Sequence, residues 1–438
     1  MNKEGQISEL RGTAVANCGE IVEYGESVMK VSDLDNADYL KSVDDFFSSL
    51  ISSGIEKESY KTGNHEIDTV TGKMWQTLSD AASLMLRKLA YSAPIIIRFH
   101  NDADGCGGAC ALHIAMNDFC SKLKAKGNVV WLMHRKIAYS RSDAQGDILI
   151  SNNYSSLEKP LLVIIDFGTT TDSNPGIREL WDRFDVIWLD HHPVQEGFDA
   201  VKIKHYINPW NFGGDSNYTA GLLTSIFCKT FSAANTNEFA QASLIGDYSD
   251  FANSESSDLS TLLDFITSDL VSVFGNSKMN ATPQEIISII DNKERMREVL
   301  NYARVRMDEA MDNGRRSLKR HSSGGIELYV LNFENIRSED SKYPLPGRFA
   351  SKLLGEISES GRKNAVLFVH AGPYISVRIS KSVGKRIDLL KIIDEIKMEF
   401  GKSIDAGGGH AFAAGIKVID ESEKKEIIKA IMKRMKNE

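Results

Sequence analysis

The 438-residue chain has no long hydrophobic run: no apolar stretch approaches the roughly 20 residues that cross a bilayer, which argues against a helical membrane protein. Its first residues, MNKEGQISEL, lack the apolar core of a signal peptide, so the sequence predicts a cytoplasmic location. Prolines are few, and no internal repeat or low-complexity segment is visible. The five cysteines (Cys18, Cys106, Cys110, Cys120 and Cys228) are odd in number, which with no secretory signal speaks against a disulfide framework. Excess positive charge is also missing. The net charge of −8 argues against simple electrostatic coating of nucleic acid. It leaves room for a nucleic-acid enzyme, because metal-binding carboxylates count as negative and a basic groove can be local.

The length implies two or three domains. Residues 1–90 read as an N-terminal extension, helical from Gly72 to Ala90 with Leu78, Ala82, Met85 and Leu89 on one face. Residues 91–275 alternate short apolar strands (Ile95–Phe99, Val129–Met133, Leu161–Asp166, Val186–Asp190, Lys204–Asn208) with helical patterns at Gly107–Lys126, Ile177–Phe184, Tyr218–Phe231 and Glu238–Ile245. This alternation predicts an α/β domain with a largely parallel sheet covered on both faces, which binds ligands at the carboxyl ends of its strands. Residues 276–324 read as a helical linker. It has a capped start at Thr282-Pro283-Gln284-Glu285, a charged helix from Asn292 and a basic end at Arg315, Arg316, Lys319 and Arg320. That end suits either a solvated helix terminus or phosphate contact. Residues 325–438 form a second, smaller α/β unit. In it the run Asp405-Ala406-Gly407-Gly408-Gly409-His410 reads as a break in the pattern, since three glycines make poor strand or helix. Its amides can approach an anion closely, with His410 at the edge.

Four acidic sites end apolar segments of the first α/β domain: His100-Asn101-Asp102-Ala103-Asp104, Asp166, Asp190-His191-His192, and Asp247. Carboxylates alone suit magnesium, and adding imidazole shifts the preference toward an ion such as manganese. Asp102 and Asp104, two apart in a loop, can face one site; Asp166 is placed to bridge two ions, and His191 and Asp247 complete the second. Two ions roughly 3.5–4 Å apart hold and acidify a water and neutralise phosphate charge. His192 would then face the substrate. A zinc site from Cys106, Cys110, His113 and Cys120 is the weaker option, because no paired C-x-x-C accompanies them.

The order H-x-D-x-D-G, a strand-ending Asp, D-H-H, a further G-D and a distant G-G-G-H resembles the DHH phosphoesterase superfamily, in its RecJ-like exonuclease branch, over residues 91–420. The resemblance implies a parallel-sheet DHH catalytic domain joined by a long helical linker to a DHH-associated substrate-binding domain. It implies metal ligands at His100, Asp102, Asp104, Asp166, His191 and Asp247. Many family members have the first histidine four residues before the first aspartate, where this chain has Arg98. Asp190 would orient the histidine pair. Gly407, Gly408, Gly409 and His410 would take phosphate, and Arg378, followed by Ser380 and Lys381, would grip the substrate backbone. Phe212 and Tyr218 suit either stacking on bases or packing in the core.

The function so implied is a two-metal exonuclease using Mn²⁺, with Mg²⁺ as the alternative ion. It would cut single-stranded DNA or RNA to mononucleotides in replication or repair. The alternatives are a phosphodiesterase for short oligonucleotides or cyclic dinucleotides, and a replisome scaffold partnered by the GINS complex. Inorganic pyrophosphatase, also found in the superfamily, fits the motif spacing poorly.

Overall fold

In a computed structural model, the described residues are 61–437 except 124–126, 155, 157, 254–255, 276–277, 324, 339–340 and 411, together with a short strand pair, β1 (Ala14–Val15) and β2 (Ile21–Val22). Most of the expected N-terminal extension lies outside the described residues. The chain divides into two compact units, Met1–Asp264 with Asn280–Ile289, and Phe265–Met279 with Ile290–Glu438. The segment read as a linker is therefore shared between them.

The first unit opens with helix α1 (His65–Ala90), capped by the Asn64 side chain on the amides of Glu66 and Ile67. Its expected apolar stripe, Leu78, Ala82, Met85 and Leu89, is buried. At its last turn the buried Lys88 ammonium lies 2.8 Å from Glu158 and 2.7 Å from Asp185. The sheet consists of β3 (Pro94–His100), β4 (Asn128–His134), β5 (Leu161–Ile165), β6 (Asp185–Leu189) and β7 (His205–Ile207). All pairs are parallel, in the order β4-β3-β5-β6-β7. Each predicted strand is present with its ends within one residue of expectation. Ile96, Leu162, Ile164 and Trp188 pack in one cluster with Tyr139, Ile177 and Leu180. Their neighbours Ile95, Ile97, Val163 and Ile165 are equally buried, as expected of a sheet covered on both faces. The helices are α2 (Ala103–Leu123), α3 (Arg141–Ser151), α4 (Asn174–Leu180), α5 (Ala220–Cys228), α6 (Asn237–Gly246) and α7 (Ser257–Ser268). Helix α3 was not anticipated; it starts on a Ser140/Asp143 capping box.

Two readings are corrected here. Helix α2 starts at Ala103, so Asp104 sits in a helical first turn and not in a loop with Asp102. The zinc alternative also falls. Cys106 and Cys110 are buried, while the His113 ring meets Trp131 edge-on and its Nε2 lies 2.9 Å from Asn117. No cysteine enters a metal-grade group among the described residues.

After α8 (Leu270–Phe274) comes α9 (Pro283–Asp291), which begins on the expected Thr282/Glu285 box. Helix α10 (Lys293–Ser317) packs in the second unit through Leu300, Ala303, Met307 and Met311. The second sheet is made of β8 (Lys319–Ser323), β9 (Ile326–Asn332), β10 (Ala365–Ala371), β11 (Tyr374–Ile379), β12 (Ile404–His410) and β13 (Ala413–Val418). Its order is β12-β13-β11-β10-β9-β8, antiparallel except for β9 with β10. Helices α11 (Pro346–Glu359), α12 (Lys381–Gly384), α13 (Leu389–Glu399) and α14 (Lys424–Asn437) complete the unit. Its core joins Leu328, Phe368, Val377, Ile392, Ile416 and Ile427.

The glycine run is not a break: Gly407–His410 belong to edge strand β12, paired with β13 through backbone bonds that need no side chain. At Gly409 (φ +148°) a Cβ would come within 2.1 Å of the Ala413 carbonyl, so glycine is what permits this pairing. The basic helix end is also reassigned. Arg315 pairs with Glu356 and Asp312, and Arg320, on β8, pairs with Glu327, so these two guanidiniums are already neutralised within the unit. No helix among the described residues is long and apolar enough to cross a membrane.

Candidate metal centre

Each acid at the carboxyl end of the first sheet is set by a backbone device. Asp102 follows β3 and accepts the Gly105 N–H at 3.0 Å, while its other oxygen lies 2.6 Å from His100 Nδ1. Burial pushes this carboxyl up, but the His100 charge and hydrogen bond, with the Gly105 amide, outweigh it and hold the group below the usual range. Asp104 is buried and accepts the Ala220 and Gly221 N–H groups at 2.8 and 2.7 Å. These are the first amides of α5, so a helix N-terminus anchors the carboxylate. Small residues bring the helices this close. A Cβ on Gly107 or Gly221 would fall 2.3 or 2.0 Å from Ser243 Oγ of α6.

Asp166 ends β5 with φ +70°, an uncommon conformation for a residue other than glycine and one that marks functional sites. Both its oxygens are buried and receive no hydrogen bond from the protein. One lies 3.3 Å from His191 Nε2 and the other 3.6 Å from His100 Nδ1. Asp190 uses one oxygen to accept the His191 and His192 amides at 2.8 and 3.2 Å and His192 Nδ1 at 2.7 Å. It thus orients the ring of His192. The ring of His191 is oriented instead by the Ser216 carbonyl, 2.9 Å from Nδ1. Asp247 caps the end of α6.

The result is a cluster of overlapping groups, His100–Asp102–Asp166, Asp166–His191–His192 and Asp104–His191–Asp247, each with ligand atoms within 4.8 Å of one another. All six expected ligands are among them. The donor set fits a divalent cation for a specific reason. A carbonyl only accepts, so His191 Nδ1 carries the ring proton in the neutral tautomer, and the Nε2 lone pair points at Asp104, Asp166 and Asp247 at 3.4, 3.3 and 3.2 Å. Against the effect of its burial, the three carboxylates push the His191 pKa well up, so Nε2 calls for positive charge, which a proton or a divalent cation supplies. Burial, together with Asp166 and Asp247, pushes the Asp104 carboxyl well up, and a cation relieves the same repulsion.

Arg98 is directed to Asp147 of α3, with Nε and Nη2 at 2.8 and 2.7 Å from its two oxygens. Of its two readings Tyr218 takes the core one, buried with its hydroxyl 2.7 Å from that of Thr71. Phe212 is half-buried. The acid-anchoring amides, the Ser216 carbonyl and Asp264, which caps α2 by accepting the Ala103 N–H at 2.9 Å, escaped sequence reasoning. Only Thr219, a helix-start residue before Ala220-Gly221, signalled any of them.

In the second unit Arg378 lies on β11, its Nε 2.8 Å from Ser351 Oγ and its Nη1 3.0 Å from Ser376 Oγ. Its Nη2 occupies the space a Cβ on Gly347 would fill, at the start of α11. Ser380 is buried, and its hydroxyl accepts the Ala365 N–H at 3.1 Å, a strand-joining role rather than an open phosphate contact. Gly407, Gly408, Gly409 and His410 line up along β12.

Residues 347–437 match the model of the DHHA1 domain family. The DHH domain of a member of a family of ribosomal proteins superposes with a TM-score of 0.73 at 19% identity, covering 92% of this chain and 99% of that one. RecJ from Thermus thermophilus in complex with Mn²⁺ does so with a TM-score of 0.53 at 16% identity, over 83% of this chain and 55% of that one. Protein MJ1198 of Methanocaldococcus jannaschii is 24% identical over 82% of this chain and 54% of its own length. The chain thus spans about half the length of this curated relative. The chain therefore shares the fold of a DHH domain and of RecJ, and its residues 347–437 match the DHHA1 domain family.

Proposed function

We propose that this chain is a cytoplasmic, metal-dependent phosphodiesterase that shortens single-stranded DNA or RNA from one end, in replication or repair. The observation that carries the reading is Asp166, which presents one buried oxygen to the His191 group and the other to the His100 group. A carboxylate so placed could serve two ions at once. His100 and Asp102 would hold one, Asp104, His191 and Asp247 the other. The mixed imidazole and carboxylate set favours Mn²⁺, with Mg²⁺ as the weaker fit. When bound, such ions supply an acidified water and neutralise phosphate charge.

The protein's own groups do the rest. Asp104 is held in place by the α5 amides, and Asp166 by its strand-end backbone. Asp190 accepts the Nδ1 proton of His192 and so leaves Nε2 to meet a phosphate or leaving-group oxygen. Arg378 and the glycine backbone of β12 would hold the rest of the substrate chain.

The test is digestion of single-stranded DNA and RNA of one sequence, labelled at either end, with Mn²⁺ or chelator, beside a dinucleotide and a cyclic dinucleotide. A Mn²⁺-dependent ladder on long chains is expected. Cleavage confined to the two-nucleotide substrates would replace the exonuclease by a small-oligonucleotide enzyme, and no cleavage at all would end the catalytic reading. Arg378→Ala is expected to raise KM by roughly tenfold or more, the scale of a lost charge-assisted hydrogen bond, with Mn²⁺ affinity retained. An unchanged KM and salt dependence would remove Arg378 from substrate binding.

A further inference from the structure

Two large aromatic rings stand exposed beside the metal-grade cluster. Trp210 is 44% exposed, yet its indole N–H donates to the His191 carbonyl at 3.1 Å. The same carbonyl accepts Ser216 Oγ at 3.0 Å, and the Ser216 carbonyl in turn faces His191 Nδ1 at 2.9 Å. The ring is thus tied by its edge to a ligand residue while its surface stays open. Tyr248 directly follows Asp247, is 53% exposed, and has φ +55°. A bulky residue adopts this left-handed backbone only at a cost, and such strain gathers at functional sites.

The two segments are fastened to each other. Ser249 Oγ donates to the Asn217 carbonyl at 2.6 Å, and the Asp250 N–H donates to Asn217 Oδ1 at 3.0 Å. The turn that presents Tyr248 and the loop that presents Trp210 are therefore one assembly, bonded to His191 and continuous with Asp247. Their neighbour Tyr218 is spent on the core, whereas these rings are not.

We propose that Trp210 and Tyr248 form a stacking platform for the nucleobase of the nucleotide whose phosphate lies at the metal cluster. The inference rests on the phosphodiesterase reading above and adds its specificity: a base is required, and any base serves, because every base offers a π-face. Rigid aromatic surface at the reacting end orders a flexible strand at little entropic cost, so its loss should appear mainly in KM.

The test compares a thymidine hexamer with the same hexamer carrying reduced abasic residues at the cleaved end. Wild type, Trp210→Ala, Trp210→Phe and Tyr248→Ala are assayed with Mn²⁺. Wild type is expected to prefer the base-bearing hexamer, and each alanine variant to raise KM for it by roughly 5- to 100-fold, the scale of one stacked base. The rise should be small for the abasic hexamer. Trp210→Phe, which keeps a ring but loses the bond to His191, should keep most of the preference. A second readout needs no turnover: titration of the chelated protein with the thymidine hexamer should quench tryptophan fluorescence in wild type and not in Trp210→Phe. Calorimetry with Mn²⁺ alone shows whether a variant has disturbed the ligands. Equal cleavage of both hexamers by wild type, or alanine variants that keep the wild-type preference, would overturn the platform and leave the phosphodiesterase reading standing. Absence of Mn²⁺-dependent cleavage of either hexamer would overturn both.

Discussion

Asp166→Asn is expected to abolish hydrolysis while making the metal-free protein more stable. Asp166 is buried, follows β5 in the left-handed region, and offers both oxygens to the cluster without a protein hydrogen bond. In chelator it is a cost to the fold, because burial and the neighbouring Asp102 charge disfavour its ionised form more than His100 and His191 favour it. Asparagine keeps the shape, tolerates the same backbone angles and drops the charge. Stability in chelator should therefore rise by about 1–3 kcal/mol, a melting shift of several degrees for units of this size. Cleavage in Mn²⁺ should fall by on the order of 10³-fold or more, since the shared carboxylate is lost. Mn²⁺ should also raise the melting temperature of the wild type far more than that of the variant. Paired melting curves and rates decide the matter. A variant that turns over normally, or that melts below wild type in chelator, would contradict the shared-carboxylate role.

Gly221→Ala should damage both fold and site through a single methyl group. A Cβ there would lie 2.0 Å from Ser243 Oγ and 3.0 Å from the Asp104 carbonyl. Helix α5 must retreat, and with it the amides that hold the Asp104 carboxylate at 2.7 and 2.8 Å. Overpacking of this kind costs roughly 1–3 kcal/mol. The loss of Mn²⁺ affinity should exceed that of any change on the far side of α5. Ser243→Gly empties the space the new methyl group needs, so the double variant should recover metal binding beyond the sum of the single effects. Simple additivity would show that the close approach of α5 and α6 is not what positions Asp104.

The parallel sheet and its acidic strand ends were legible because buried parallel strands are continuous apolar runs, as at Ile95–Phe99 and Leu161–Ile165, and because a charge just after such a run has few places to go. What escaped was non-local. Tyr218 reads equally as a stacking surface and as a core residue until Thr71 of α1 supplies its hydroxyl partner. Asp104 reads as a loop residue until the first amides of α5 capture it. The glycine run reads as a break by propensity, yet β12 forms because backbone bonds to β13 ask nothing of side chains and the close approach at Gly409 excludes any. Trp210, in a Pro-Trp-Asn-Phe turn, carries no periodic signal.

The cluster draws on strands β3, β5 and β6 and helices α2 and α6, from His100 to Asp247 in the chain. No contiguous segment contains more than a fragment of it, so the site exists only once the sheet has closed. A cation that prefers the closed arrangement has little to hold in the transition state for folding. It should act as a brake on unfolding, lengthening the lifetime of the native state, while the refolding rate stays nearly the same with or without metal.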